Sequence, residues 1–221
     1  MAGAGAGPDA AERRRLVALA GHTGDVDAAR GGLEDPDPKV RSAALGALER
    51  LGDLTDHHVA AALLDTDPGV RRRAAEAAAH RPGVDLRWAL VDPDDLVVEV
   101  AAFAAGEQED PGEEVLALLV GLAEGHEDAL VREAAVAALG ALGDPVGLPA
   151  ILAATHDKPA VRRRAVLALA PFEGPEVDAA LEAALTDRDW QVRQAAEDLL
   201  GRDPSVEPWS PDDEDPSDDP A

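Results

Sequence analysis

The chain has 221 residues, no cysteine and a formal charge of −25, from 45 acidic against 20 basic side chains. The missing thiols exclude disulfides and thiolate chemistry, and the charge opposes binding to nucleic acid or anionic lipid. Aromatic residues make up only 2% of the chain, while Ala, Leu and Val supply most of its apolar content. This composition predicts helices packed closely along a line, because a compact core is usually anchored on large rings.

The first residues precede any repeat. Residues 1–8 are predicted to be disordered, and the start of the chain has no apolar run that could form a signal peptide. Residues 9–20 are expected to form a lone helix that covers the first repeat, with Arg13, Arg14 and Arg15 pointing outward. No stretch reaches the ~20 apolar residues of a membrane helix, so a cytoplasmic protein with no membrane contact is expected.

One phrase recurs through the body of the chain. Asp-Pro-Asp-Pro-Lys-Val-Arg at residues 35–41 returns closely at 65–71 and 187–193, and more loosely at 92–98, 126–132 and 156–162. The aligned valines are 27 to 34 residues apart, which predicts six helix–turn–helix units. Within a solenoid spanning 9–201, we place units one to six at residues 24–52, 53–81, 82–108, 112–143, 144–172 and 173–201.

The columns of the phrase have structural meanings. The aspartate three residues before the valine is typical of an N-cap, and the proline after it suits the first helical position. The fourth residue after the valine is always alanine, which predicts that another backbone passes close to this second helix. An apolar anchor before the turn marks a shorter first helix. The anchor lies further from the valine in units four and five, at Leu122 and Leu152, so longer turns are expected there.

The phrase, followed by Ala-Ala and Leu-Gly-x-Leu-Gly-Asp, resembles the HEAT-like repeat first described in phycobilin lyases, over residues 24–201. The resemblance implies an all-α right-handed superhelix, a HEAT-like solenoid of about six helix pairs plus an N-terminal capping helix. In that family the second helices line the concave face, where members hold partners. It also implies a ladder in which the aspartate opening a turn and the arginine six residues later bond between neighbouring units. The matching ladder residues are Asp35, Arg41, Asp65, Arg71, Arg132, Arg162, Asp187 and Arg193.

The middle of the array departs from this pattern. Val98 replaces the arginine of unit three, and His126 and His156 replace the aspartates of units four and five. Residues 106–114 are expected to form the longest and most acidic loop between units. These features predict a softer joint between units three and four.

The C-terminal end of the array is marked by a polar substitution. Glu197 stands where the earlier second helices have an apolar residue, which predicts that no further unit follows it. Residues 202–221 contain eight acidic residues, one arginine and five prolines. They are expected to be an acidic, disordered tail.

The second helices also carry apolar residues at positions that should face solvent. An apolar centre surrounded by charge is typical of a protein interface, and we predict such a surface on units three to five. The alternatives are that Phe103 folds sideways to fill a gap and that the arginines only offset neighbouring acids. The predicted partner-binding residues are Val100, Phe103, Ala137 and Leu167, flanked by Arg72, Arg73, Arg163 and Arg164.

The function expected from these features is a monomeric, non-enzymatic scaffold or adaptor with a protein partner and no cofactor, metal or catalytic residue. One alternative is a HEAT-repeat enzyme. Deoxyhypusine hydroxylases hold two irons with several His-Glu pairs, whereas this chain has a single such pair, His126-Glu127. A phycobilin lyase must bind a tetrapyrrole, and this chain has few aromatic rings and no tyrosine to stack on one. Nucleic-acid binding is the other alternative, but the arginine triplets 71–73 and 162–164 are separated by Glu99 and Glu133, and phosphate binding favours a continuous basic stripe.

Overall fold

A computed structural model describes residues 8–201, which form twelve α-helices and no β-strand. The two segments predicted to be disordered, 1–8 and 202–221, lie outside the described residues apart from Pro8. Short 3₁₀ turns occupy Gly32–Glu34, Ala89–Val91 and Pro145–Gly147. The α-helices are α1 (Ala10–Thr23), α2 (Val26–Gly31), α3 (Pro38–Leu51), α4 (Asp56–Ala62), α5 (Pro68–Ala78), α6 (Asp95–Gly106), α7 (Glu113–Gly125), α8 (Ala129–Leu142), α9 (Leu148–Ala154), α10 (Pro159–Ala168), α11 (Pro175–Ala184) and α12 (Trp190–Leu199).

The helices form two rows. Helices α1, α3, α5, α6, α8, α10 and α12 pack side by side, each against the next. Helices α2, α4, α7, α9 and α11 each pack against the second helix of their own unit. This arrangement is the all-α superhelix that the repeat predicts. Helix α1 is the first member of the row of second helices, so unit one packs on it as each later unit packs on its predecessor.

The repeated valine and alanine form the core. All six valines and all six alanines of these two columns are buried. Neighbouring second helices also touch through small residues: an ideal Cβ added to Gly140 would lie 2.5 Å from Cβ of Ala168, and one added to Gly106 would lie 2.8 Å from Cα of Ala138. Such close helix contacts explain how the chain builds a continuous core with almost no aromatic residues.

The aspartate column caps the second helices. Each of these aspartates accepts a hydrogen bond from a backbone N–H in the first turn of its helix, which satisfies a donor that has no partner within the helix. Unit five lacks this contact, since Lys158 is the cap residue there and makes no capping side-chain hydrogen bond. The capping residues are Asp37, Asp67, Asp94, Asp128 and Asp189.

Some predicted elements are wrong in detail. Unit three has no first α-helix, only the 3₁₀ turn Ala89–Val91, because Pro82 and Gly83 interrupt the chain after α5. The turn of unit four is not lengthened: α7 continues to Gly125 and leaves residues 126–128 before α8, and unit five has 155–158, against 63–67 in unit two. The longest link between units is 79–88 rather than the acidic loop, which spans 107–112.

The acidic loop is tied to the preceding units. Gln108 is buried, and its side-chain amide donates to the carbonyl oxygens of Ala78 at 3.2 Å and Arg81 at 3.3 Å. These hydrogen bonds join the loop to unit two, and the softness of the joint between units three and four stays a prediction. Within residues 8–201, no helix has the length and apolarity needed to cross a membrane.

Candidate functional site

A row of arginine–aspartate pairs joins successive units. Arg41 donates from Nε and Nη2 to the Asp65 carboxylate at 2.7 and 2.6 Å, and its Nη1 donates to the carbonyl oxygen of Asp35 at 2.9 Å. Each such arginine therefore bonds both the turn of its own unit and the carboxylate of the next unit, with the strong fork geometry of a guanidinium. The other pairs of this kind are Arg71–Asp92, Arg132–Asp157 and Arg162–Asp187.

These contacts keep the ladder aspartates ionised. The side-chain hydrogen bonds from Arg13 lower the pKa of Asp35 to about 2, although desolvation opposes the shift. Hydrogen bonds from the ladder arginines likewise lower the pKa values of Asp65, Asp157 and Asp187. A carboxylate with a lowered pKa is a poor proton donor near neutral pH, so the ladder has the chemistry of a structural element.

The structure corrects the ladder at both ends and in unit five. Arg13, expected to point outward, donates to Asp35 at 2.7 and 2.9 Å and begins the ladder. In unit five the ladder carboxylate belongs to Asp157, one position after His156. The shape of the turn brings this carboxylate within hydrogen-bond distance of Arg132. Arg193 donates to the carbonyl oxygen of Asp187 at 2.8 Å and, in the described part of the chain, meets no following unit.

One rung of the ladder is missing between units three and four. Val98, in the arginine position, is buried. His126, in the aspartate position, accepts a hydrogen bond at Nδ1 from the backbone N–H of Asp128 at 3.2 Å, as the aspartates of other turns do, and its carbonyl oxygen accepts one from Arg132 at 2.6 Å. The histidine thus keeps the local role of the aspartate. Its contact with unit three is an Nε2 atom 3.8 Å from a carboxylate oxygen of Asp95, in place of the arginine–aspartate fork.

A groove of about 650 Å³ lies over α6 and α8, beside this missing rung. Its apolar part includes Val100 and Phe103 from α6, and Leu130, Ala134 and Ala137 from α8. Phe103 is 57% exposed and Leu130 is 53% exposed. These residues recur three or four positions apart, so each helix presents a second apolar face in addition to the face that it buries in the core.

Four of the eight predicted partner-binding residues line this groove, and the other four lie outside it. Val100, Phe103, Ala137 and Arg164 line it, and the exposure of Phe103 shows that its ring does not fold into a gap. Leu167 is outside the lining and is partly buried against the core. The remaining three predicted residues also lie outside the lining: Arg72, Arg73 and Arg163.

The edge of the groove is acidic. Arg73 pairs with Glu76 at 2.8 Å and also with Glu49, and Arg164 lies 3.5 Å from Glu133. The groove lining also contains two further glutamates, which have no basic side chain within ion-pair distance among residues 8–201: Glu99 and Glu107. Two of the four arginines of the expected basic flank, Arg73 and Arg164, are therefore paired with acids, and the other two are exposed outside the groove lining.

Two exposed leucines were missed by the sequence analysis. Leu96 is 50% exposed, and Leu130 stands at the same position of the next unit, directly before the repeat valine. Both are exposed to solvent, one turn before Val100 and Ala134. The sequence could have indicated these leucines, because units one and two have Lys39 and Gly69 instead of an apolar residue at this position.

The histidines form no site for a metal in the described part of the chain. No group of three or more His, Asp or Glu side chains is arranged there to hold an ion. His58 instead completes a capping box at the start of α4: its Nδ1 accepts from the backbone N–H of Thr55 at 3.3 Å, and its own N–H donates to the Thr55 hydroxyl at 3.2 Å.

Two rows of helices, stacked unit on unit, define an α-solenoid repeat protein. The family model for HEAT repeats matches residues 3–80, 84–159 and 150–201. The chain belongs to the HEAT repeat family.

Many solved structures share this architecture. An engineered protein of the Northeast Structural Genomics Consortium is 22% identical, with a TM-score of 0.61, over 82% of this chain and 99% of that chain. The Escherichia coli protein YIBA is 16% identical, with a TM-score of 0.60, over 88% and 76% of the two chains. A designed armadillo repeat protein in complex with the peptide (KR)4 is 17% identical, with a TM-score of 0.59, over 86% and 99%. A search of the curated proteins gives no match. The structural likenesses show the fold.

Proposed function

We propose that this chain is a monomeric, non-enzymatic scaffold that binds a segment of a protein partner in the groove over α6 and α8. The observation that supports this function is the exposed apolar face of these two helices. At the position six residues after the valine, units one, two and six have Gly46, Glu76 and Asp198, whereas units three and four have Phe103 and Ala137. Apolar side chains grouped on a protein surface and surrounded by charge are typical of binding sites.

The groove can supply useful binding energy. Burying one large apolar side chain contributes about 1.5–3 kcal/mol, and Phe103 and Leu130 are both about half exposed before a partner binds. Two residues of this kind in the centre of a contact are enough to act as its energetic hot spot. The surrounding charges would select the partner and orient it.

A cross-linking experiment tests this function. A photoreactive amino acid at position 103 of the full chain, expressed in its own host, should cross-link a discrete partner. The same group at the exposed Glu182 on α11 should not. With the purified partner, Leu130→Asp should weaken binding by at least about tenfold, equivalent to ~1.4 kcal/mol, as measured by titration calorimetry.

Three outcomes would contradict the proposal. The same proteins could be captured from positions 103 and 182, or Leu130→Asp could leave the affinity unchanged while circular dichroism shows an intact fold. Iron bound to the purified protein in stoichiometric amount would instead favour the enzymatic alternative.

A further inference from the structure

We propose that the occupant of the groove is an apolar and cationic peptide segment, in which a few large apolar side chains are flanked by arginine or lysine. This inference rests on the proposed function and specifies the chemistry of the partner. It follows from the charges in the groove, their positions around the apolar face, and the length of that face.

The groove lining carries an excess of negative charge. It contains four glutamates and one arginine, a formal charge of −3. The glutamates are Glu76, Glu99, Glu107 and Glu133, and the arginine is Arg164.

Three of the four carboxylates lie towards the ends of the apolar face, and the fourth lies beside it. Glu99 and Glu133 occupy the same position in α6 and α8, in the helical turn that begins with the exposed leucines. Glu107 directly follows the end of α6, and Glu76 on α5 has the position in its unit that Phe103 has in the next. A ligand lying along the apolar face would therefore meet carboxylates near both of its ends.

Two of these carboxylates are open to a cation from the partner. Glu76 and Glu133 have ion-pair partners in Arg73 and Arg164. Glu99 and Glu107 have none among the described residues. An arginine or lysine of the partner would meet these two glutamates without displacing an existing pair.

The charge of the whole chain acts in the same direction. Residues 202–221 account for −7 of the net −25, which leaves −18 on residues 1–201. A field of this sign attracts cationic segments and repels nucleic acid, anionic lipid and acidic peptides, including the chain's own C-terminal segment.

The length of the apolar face limits the size of the segment. Leu130 to Ala141 covers about 16 Å along α8 at the α-helical rise of 1.5 Å per residue. This distance accommodates about three turns of a helix. The groove is lined along α8 by Ala134, Ala137, Ala138 and Ala141, whose short side chains allow the backbone of a ligand helix to approach closely, as in helix-in-groove recognition.

Three synthetic peptides of equal length test the inference on the full chain. The first is helical, with leucines on one face and arginines at both ends. The second has glutamate in place of arginine, and the third has serine in place of leucine. Fluorescence anisotropy in about 0.15 M salt should show that the first peptide binds at least about tenfold more tightly than either of the others.

Matched charge variants locate the contact. Glu99→Gln with Glu107→Gln should weaken binding of the arginine–leucine peptide by about fivefold, since each exposed ion pair contributes only a modest energy. Asp178→Asn with Glu182→Gln removes the same charge from exposed positions on α11 and should change the affinity by less than about twofold. Phe103→Ser should weaken the same peptide by about tenfold.

Each contrary result has a separate meaning. Equal or tighter binding of the glutamate peptide, or equal weakening by the two charge pairs, would overturn the cationic assignment. If Leu130→Asp still abolished binding of the cross-linked partner, the proposed function would stand while this inference failed. If the arginine–leucine peptide bound with no dependence on Phe103 or Glu99, its site would lie elsewhere and the inference would be wrong.

Discussion

Each ladder arginine holds two units together because its planar fork bonds one carboxylate while its remaining nitrogen bonds a turn carbonyl. The ladder pairs are more buried than ordinary surface ion pairs. Arg162 and Asp187 are 6% and 16% exposed at their side chains, whereas the Arg30–Asp53 pair is 53% and 28% exposed. Removing one partner of a shielded pair leaves an uncompensated charge, which is strongly destabilising. This cost explains why the missing rung lacks both partners, with Val98 on one side and His126 on the other.

Restoring this arginine–aspartate pair tests whether the two positions can form a rung of the ladder. Val98→Arg alone should lower the free energy of unfolding by about 2–3 kcal/mol, because it places an unpaired charge in a buried position. His126→Asp supplies the carboxylate, and the double variant should recover at least about 1.5 kcal/mol relative to the sum of the single changes. Urea denaturation of all four proteins measures this coupling.

A distant histidine provides the control. His57 is exposed near the start of α4, so His57→Asp combined with Val98→Arg should be additive within about 0.5 kcal/mol. If the His126 cycle were equally additive, the two positions would not form a rung, and the ladder geometry of the other units would not extend to this joint.

The sequence predicted the caps better than the ladder. An N-cap depends on residues within one turn of the chain, so the position of Asp37 or Asp67 in the repeat was sufficient. A ladder contact depends on where a guanidinium arrives in space. Asp157 reaches Arg132 although it is one position out of alignment, and Arg13 reaches Asp35 from a helix that lacks the repeat phrase.

Successive second helices pack closely where a glycine of one helix meets an alanine of the next. At Gly140, an added Cβ would lie 2.5 Å from Cβ and 2.6 Å from Cα of Ala168. Relief of such a contact requires the backbone of α8 or α10 to move. The spacing between units is thus set at this crossing by the absence of a single methyl group.

A pair of identical substitutions tests the importance of this crossing. Gly140→Ala should lower the free energy of unfolding by about 2 kcal/mol, because overpacking outweighs the gain in helix propensity. Gly121→Ala, in the middle of α7 where nothing lies within 4 Å of an added Cβ, should raise it by about 0.5–1 kcal/mol. Thermal and urea denaturation of both variants give the comparison. Stabilisation by Gly140→Ala would show that α8 and α10 separate easily.

The lengths of the first helices were poorly predicted from sequence. The partly buried anchors Leu122 and Leu152 indicate which residue faces the core, but they do not indicate where a helix ends. Helix α7 therefore extends to Gly125 although its anchor is displaced from the valine. In unit three, Leu90 is buried within a 3₁₀ turn, so an apolar anchor is compatible with almost no helix.

In the whole molecule, the missing rung and the groove occur together in the middle of the array. Val98 and Val100 belong to the same helix, and one is buried in the seam while the other lines the groove. The apolar part of the groove was partly predictable, because Phe103 and Ala137 interrupt a polar column. Its acidic edge was not, since the Arg73–Glu49 pair joins residues 24 positions apart and a sequence pattern does not show which arginines are already neutralised.

The ladder also makes a contribution to the stability of the solenoid that is lost at low pH. Its arginine pairing holds the pKa of Asp35 at about 2, whereas an aspartate in an unfolded chain has a pKa near 3.9. The pKa values of Asp65, Asp157 and Asp187 are lowered in the same way. Because the unfolded chain binds these protons at higher pH than the folded chain, their contribution is present above about pH 4 and is lost as the pH falls towards 2.

Acidification also removes the repulsion among the many carboxylates, which by itself would raise stability, so a comparison of two proteins is needed to isolate the ladder. Asp157→Asn should lower the urea midpoint at pH 7, since Arg132 loses its charged partner. On acidification from about pH 5 to pH 2, the midpoint of this variant should fall less than that of the unmodified chain, because one of the lowered pKa values has been removed. Both proteins have almost the same net charge, so the difference between their two pH profiles reports the contribution of the ladder pair to stability. Parallel profiles would mean that acid sensitivity comes from carboxylates outside the ladder.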